Sequence, residues 1–262
     1  DPQLKALFCF GDQQIFLPHV YRWCRRRRIP FVAYVGTAHS LDSNFKSKVM
    51  NALFAAGTLR IYKKNPVLAK TSAAKEELRQ LGVPHAVIAP VGLDNAVLKK
   101  NIPADEKMRL RKEHGFEADD VILCNVSRLS WEKRPLELID LFLQVKGKKK
   151  FKLIIVGNGP LEEELNEKIR KNGLEKEVKI YPNVPYEKMW EIYEMSDYYL
   201  NMNKGEIFGM AIMEAVYYKT SVAAIRALGP SVTLKDMKGH KLCENDDEMA
   251  EWITGPYPSE KD

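Results

Sequence analysis

Val121-Ile122-Leu123-Cys124-Asn125-Val126, then Ser127-Arg128-Leu129-Ser130-Trp131-Glu132-Lys133-Arg134, then Pro135: this stretch decides the fold. Its first six residues are almost wholly apolar, as a parallel strand covered on both faces must be. Pro135 suits the first position of a helix, and Leu138, Leu141, Phe142 and Val145 follow on one stripe. The unit therefore reads strand, loop, helix. It recurs at once: strand Phe151–Val156, turn Gly157-Asn158-Gly159, then a helix opened by Pro160 and capped by Gly173, with Leu161, Leu165 and Ile169 at four-residue spacing. Pro185 opens a third helix, with Met189, Ile192 and Tyr193 facing inward. Further strand candidates are Leu7–Phe10, Phe31–Val35, Val67–Lys70, Ala86–Val91, Val178–Tyr181, Tyr198–Met202 and Ser221–Ile225. Alternation this regular predicts α/β layers with right-handed crossovers.

The pattern pauses between Asp94 and Asp120, where Lys99-Lys100-Asn101-Ile102-Pro103 is polar and a charged helix (104–114) leads into the strand at Val121. The junction is expected near residues 95–103, dividing the chain into domains 1–98 and 99–262. The second half makes a nearly complete Rossmann-like unit. The first has about four strands, few for a doubly wound domain. With Asp1-Pro2-Gln3 in place of an initiator Met, this predicts a piece of a longer protein whose N-terminal domain is incomplete.

Composition narrows the class. The 262 residues are 45% hydrophobic and 29% charged, a globular balance, and no run of eighteen apolar residues offers a membrane-spanning helix. Cys9, Cys24, Cys124 and Cys243 are far apart with no Cys-x-x-Cys pair, which favours a reduced, cytoplasmic protein and disfavours zinc. The net charge is +6, much of it in Arg22 with Arg25 to Arg28 and Lys146 with Lys148 to Lys150. Such clusters attract phosphorylated ligands, acidic membrane surfaces or nucleic acid, or else are solvated helix ends.

In open α/β sheets, ligands bind beyond the carboxyl ends of the strands. After Val126, Arg128 and Lys133 lie five residues apart near a helix N-terminus and can converge on a phosphate, or be solvated surface cations. After Val156, Gly157 and Gly159 permit close backbone approach. Position 162 is Glu, however, so the dinucleotide fingerprint is incomplete, and no Walker A sequence occurs. After Met202 comes Asn203-Lys204-Gly205-Glu206-Ile207-Phe208-Gly209-Met210, then a helix over 211–219. Glu206 in the loop and Glu214 on the helix could both accept hydrogen bonds from sugar hydroxyls, and amides at Phe208, Gly209 and Met210 could meet a phosphate.

Together these motifs resemble the donor domain of the retaining, GT-B-fold glycosyltransferases of family 4, often called group 1 glycosyl transferases. That family's order is a strand with Gly-Arg-Leu-x-x-Glu-Lys-Gly, a strand ending in Gly-x-Gly-Pro, then a Glu-Gly-Phe-Gly loop with a second Glu on the next helix. The likeness covers roughly residues 110–245 and, more faintly, 31–94, where Pro90-Val91-Gly92-Leu93-Asp94 resembles the segment before the interdomain linker. It implies two Rossmann-like domains of the GT-B type and transfer of a sugar from a nucleotide-diphosphate donor (UDP-, GDP- or ADP-sugar) to a saccharide or lipid-linked acceptor, without a cofactor. Arg128 and Lys133 would hold the diphosphate, Glu214 the ribose, and Glu206, with Phe208, Gly209 and Met210, the sugar. The base would lie near Gly157, Asn158 and Gly159 and the Asn183-Val184 turn. His39, in Gly36-Thr37-Ala38-His39-Ser40, resembles the family's His facing the donor sugar; otherwise it makes only a structural bond.

The chain has no Asp-x-Asp, the motif with which transferases of the other common fold hold a cation, so a metal-independent site is expected. Ser127 and Ile207 replace family glycines, and Lys219 and Ser221 stand where Gly and Pro are usual. A β-branched Ile207 resists positive φ, so this departure is expected to reshape the sugar pocket. The arginine cluster lies on a helix with Val20, Tyr21 and Trp23, suited to peripheral docking at the inner face of an anionic membrane. The competing class is a non-catalytic nucleotide-sugar-binding or scaffold module in glycan synthesis. Nucleic acid is disfavoured, since no basic and aromatic interleaving supports it.

Overall fold

The computed structural model of the chain describes residues 4–10, 16–36, 48–49, 51–53 and 57–259. The chain divides into two units, Asp1–Gly92 and Leu93–Asp262. The polar stretch expected to be the junction lies within the second. Leu98 is buried in that unit's core, where Leu93 and Ile102 pack against it, so hydrophobic burial assigns the segment.

In the first unit, β1 (Leu7–Phe10), β2 (Phe31–Val35), β3 (Val67–Ala69) and β4 (Val87–Ile88) pair in that order, all parallel. The helices described between them are α1 (Leu17–Arg27), α2 (Thr58–Tyr62) and α3 (Ser72–Gln80). Leu17, Cys24, Ile61 and Leu78 from these helices meet Phe31, Ala33 and Val35 of β2 in one core.

The second unit holds α4 (Glu106–Glu113), β5 (Val121–Val126), α5 (Pro135–Val145), β6 (Phe151–Val156), α6 (Glu162–Lys171), β7 (Val178–Tyr181), α7 (Met189–Met195), β8 (Tyr198–Asn201), α8 (Met210–Tyr217), β9 (Ser221–Ile225), α9 (Leu228–Thr233), β10 (Lys241–Cys243) and α10 (Asp246–Thr254). The strands are parallel in the order β10-β9-β8-β5-β6-β7. Alternate residues serve two cores. Leu123, Leu153 and Ile155 pack with Leu138, Phe142 and Leu165 of α5 and α6. Ile122, Cys124 and Ile154 pack with Leu110, Ile192 and Ile212 of α4, α7 and α8. A sheet covered on both faces explains why its central strands are mostly apolar. The chain moves from β5 one way to β7 and the other way to β10. The topological switch therefore falls between β5 and β8, where such sheets bind ligands.

Several boundaries shift from expectation. Strand Ala86–Val91 contracts to the two residues of β4. The helix expected from Pro160 begins at Glu162, behind a turn through Leu161. A single turn of 3-10 helix, Tyr186–Lys188, separates Pro185 from α7. Strand β10 is additional. Ile207 takes no positive φ. Left-handed backbone falls instead on Gly209, at φ 84°, and on Lys219, at φ 57°. Lys219 ends α8 where the resembled family has Gly, and its exposed side chain gains no burial there. Relief of left-handed strain outweighs the entropy of a glycine in the unfolded chain, so Lys219→Gly is expected to stabilise the fold by roughly 0.5–1 kcal/mol. A urea midpoint at or below that of the parent chain would refute this. Ser221, in place of the family's Pro, has an N–H to give, and donates it to the Asp197 carbonyl at 3.1 Å.

Candidate functional site

Three loops meet at the carboxyl ends of the strands beside the switch point. The first, 127–134, leaves β5 and is laid over the turn that leaves β6. Leu129 N–H donates to the Asn158 carbonyl at 2.8 Å, and Leu161 N–H to the Leu129 carbonyl at 3.0 Å. That contact is close enough to require glycine. A Cβ on Gly157 would stand 1.9 Å from the Ser127 carbonyl oxygen, and one on Gly159 2.5 Å from that of Leu129. The loop's far end is fixed by Arg134, which turns the chain into α5 with φ 55° and pairs with Asp246 at 2.7 Å.

The third loop, 202–209, follows β8. Asn203 shapes it, accepting from Gly205 N–H at 2.9 Å and donating to Glu206 Oε2 at 3.1 Å. Gly229 of α9 presses on its back, so close that a Cβ there would meet Phe208 N at 2.5 Å, and Gly229 N–H donates to the Glu206 carbonyl at 2.8 Å. Gly209 then starts α8 with no side-chain cap. The first-turn N–H groups of Met210 and Ala211 have no intrahelical acceptor, and the helix dipole adds partial positive charge.

A cavity of about 530 Å³ opens between the loop after β5, the turns after β6 and β7, and the first turns of α8. Arg128, Gly157 and Asn158 line one side, Asn183 and Val184 another, and Met210 and Glu214 the third. Seven of the sequence-selected residues thus share one cavity. Lys133 and Glu206 are brought to each other, with Nζ to Oε2 at 2.8 Å and little exposure. Burial pushes the Glu206 carboxyl up, but the Lys133 hydrogen bond and charge, with Asn203 and Asn201, outweigh it and hold the group below its ordinary value. Gly209 caps α8 and Phe208 is buried behind it. Gly159 serves as the bed under Leu129. His39 lies outside the described residues. Among the described residues, no three His, Cys, Asp or Glu side chains come together as a cation would need.

The structure adds partners that the motifs do not reveal. Glu214, only 8% exposed, accepts from Tyr193 Oη at 2.7 Å and from Tyr186 Oη at 3.1 Å. Burial, with the nearby Glu214 charge, raises the Tyr193 phenol well above its usual value, so it stays a donor. Tyr186 lies on the cavity wall. Exposed Arg128 rests on Glu132 at 2.9 Å. The Ser130 hydroxyl, then Arg128, draw the Glu132 carboxyl down to about 2. A guanidinium has five N–H groups and an ammonium three. Arg128 and Lys133 therefore keep donors for an anion while holding these carboxylates.

The family model described as Glycosyl transferases group 1 matches residues 106–254. The chain is 22% identical over 231 residues to an uncharacterized glycosyltransferase of Methanocaldococcus jannaschii, covering 83% of this chain and 59% of that protein. It is 24% identical over 139 residues to the alpha-monoglucosyldiacylglycerol synthase of Streptococcus pneumoniae, covering 52% of this chain and 32% of that protein. The crystal structure of HepE from Anabaena in complex with UDP superimposes with a TM-score of 0.73 at 22% identity, over 94% of this chain and 67% of that one. The chain spans less than two thirds of the length of either sequence relative.

Proposed function

We infer the activity from a plain premise: the chain belongs to the group 1 glycosyl transferases. Its α/β units with parallel sheets have the GT-B type of fold. The protein is proposed to transfer a sugar from a nucleotide-diphosphate donor to a saccharide or lipid-linked acceptor hydroxyl, with retention and without a metal, as family 4 of this fold does. The single observation that carries this is the switch-point cavity, where Arg128, the Gly157 turn, the first turn of α8 and Glu214 face one space.

On this reading the second unit holds the donor and the first serves the acceptor. The base enters between Gly157–Asn158 and Asn183–Val184, and the ribose hydroxyls bond to Glu214, which the two tyrosines hold in place. The diphosphate meets Arg128, Lys133 and the amides of α8, and the sugar hydroxyls meet Glu206. In the reaction, the bond from the sugar's anomeric carbon to the phosphate oxygen breaks, and its electron pair leaves with the nucleoside diphosphate. The acceptor oxygen bonds to that carbon on the same face and gives its proton to the departing phosphate. No protein nucleophile is required. The work of the site is electrostatic, stabilising negative charge as it grows on the leaving oxygens.

HepE, of like fold, binds UDP, which makes UDP the first nucleotide to titrate. Calorimetric titration of the chain with UDP, GDP and ADP in parallel, with EDTA present, is expected to show micromolar binding of one of them. Binding that needs added Mg²⁺ or Mn²⁺ would sink the metal-independent site. No binding by any of the three would leave the scaffold reading in its place.

A further inference from the structure

The first unit carries a large excess of positive charge. Fourteen of residues 1–92 are Lys or Arg and five are Asp or Glu, a net +9, whereas the other 170 residues hold 27 and 30, a net −3. The excess is concentrated on α1 and its end, where Arg22, Arg25, Arg26, Arg27 and Arg28 are all exposed. Among the described residues, this unit's carboxylates are Glu76 and Glu77 on α3, and Glu76 is bound to Arg79 at 2.7 Å. Among those residues, no carboxylate pairs with an α1 arginine. Like charges three and four positions apart on a helix repel, and no carboxylate of the described residues offsets this repulsion.

The arrangement has a definite shape. Leu17 and Cys24 turn one face of α1 into the core. On the solvent side, Arg22, Arg25 and Arg26 surround a recess of about 270 Å³. Beside them Trp23 is 37% exposed, with the Arg27 guanidinium 4.5 Å from its ring centre, and Phe16, just before the helix, is 72% exposed. Helix α2 packs next to α1, and exposed Lys63 and Lys64 follow it in the chain.

We propose that this face of α1 docks the protein on an anionic lipid bilayer. The arginines bond to headgroup phosphates, and Trp23 and Phe16 enter the interfacial layer. Guanidinium forks match phosphate oxygens in pairs, and an aromatic ring with a polar edge favours the headgroup region. A nucleic acid would satisfy the charge but leave Phe16 and Trp23 in water, so the bilayer accounts for both features. The inference stands on α1 alone and does not depend on the proposed transfer reaction.

The test is flotation of the whole chain with vesicles of phosphatidylcholine alone and of phosphatidylcholine mixed with phosphatidylglycerol. Binding is expected only to the mixed vesicles, weakening as salt rises. Each charge near such a surface is worth about fivefold in partition, so R22Q/R25Q/R26Q is expected to lower it roughly a hundredfold. K112Q/K171Q/K176Q, which removes as many charges from the second unit, is expected to leave it near that of the parent. W23A is expected to weaken binding severalfold without changing its salt dependence. Equal loss in both triple variants, equal binding to both vesicle types, or tighter capture by a DNA or RNA duplex than by the mixed vesicles would overturn the proposal. Circular dichroism checks that α1 is retained, and the salt titration of the parent chain reads the same contact without any substitution.

Discussion

Asp197→Ala is expected to cost about 3–5 kcal/mol of folding stability, the loss that follows when one partner of a buried ion pair is removed. Asp197 immediately precedes β8, and its carboxylate accepts three hydrogen bonds. Arg111 donates to Oδ2 at 2.6 Å, Lys107 to Oδ1 at 2.9 Å, and the Ile122 N–H to Oδ2 at 2.8 Å. The Arg111 side chain is 5% exposed. Without the carboxylate its charge stays buried, with only the carbonyls of Met195, Asp120 and Ala118 as acceptors. The Ile122 amide is orphaned as well. Asp197→Asn keeps an acceptor for that amide but not the charge, so its loss is expected to fall between those of the parent and Ala. Glu76→Ala, which breaks the exposed Glu76–Arg79 pair, is expected to leave the urea midpoint unmoved. An Asp197→Ala midpoint equal to the parent's would refute the assignment. The effect also reaches the site, since this cluster ties α4 to the starts of β5 and β8, the two strands that flank the switch point.

The fold was legible where burial leaves a pattern in the chain. Strands β5, β6 and β9 are covered on both faces and read as almost wholly apolar runs, broken only by Asn125, Lys152 and Ser221. Strand β10 is three residues at the sheet edge, too short to stand out. Arg128 and Gly157 were legible because each follows the end of a strand, where a loop must present chemistry, and Glu214 because it lies on the helix that the next such loop leads into. Their partners were not. Tyr186 and Tyr193 lie 28 and 21 residues from Glu214, and at helical spacing a tyrosine reads as core. Asp197 shows nothing in sequence, since its importance comes entirely from Arg111 and Lys107, brought to it from nearly ninety residues away. Ile207 stands where the resembled family has glycine. Here the chain turns at Gly209 instead, and Ile207 keeps a φ that a β-branched residue accepts.

Lys133→Ala is expected to lower the rate of sugar transfer about 10²–10³-fold, the loss seen when one preorganised donor to developing charge is removed. The geometry explains why a single lysine should matter so much. Its ammonium is fixed by Glu206 at 2.8 Å, and the Asn203 amide holds the same carboxylate oxygen at 3.1 Å. The lysine is therefore fixed before substrate arrives, and on the proposed reading its two remaining N–H groups are available to a phosphate. Negative charge on the leaving oxygens is greatest as the anomeric bond breaks, so the contact tightens on the way to the transition state. The loss should then appear mainly in kcat, with KM changed far less. Nucleotide-diphosphate affinity should fall by roughly 1–3 kcal/mol, the range for a charge-assisted hydrogen bond. Lys133→Arg keeps the charge but replaces a point donor with a planar fork, so part of the activity is expected to remain. The unfolding midpoint of each variant separates a lost contact from a lost fold. A folded Lys133→Ala protein with unchanged kcat would remove this lysine from the proposed site and leave the diphosphate to Arg128 and α8 among the described residues.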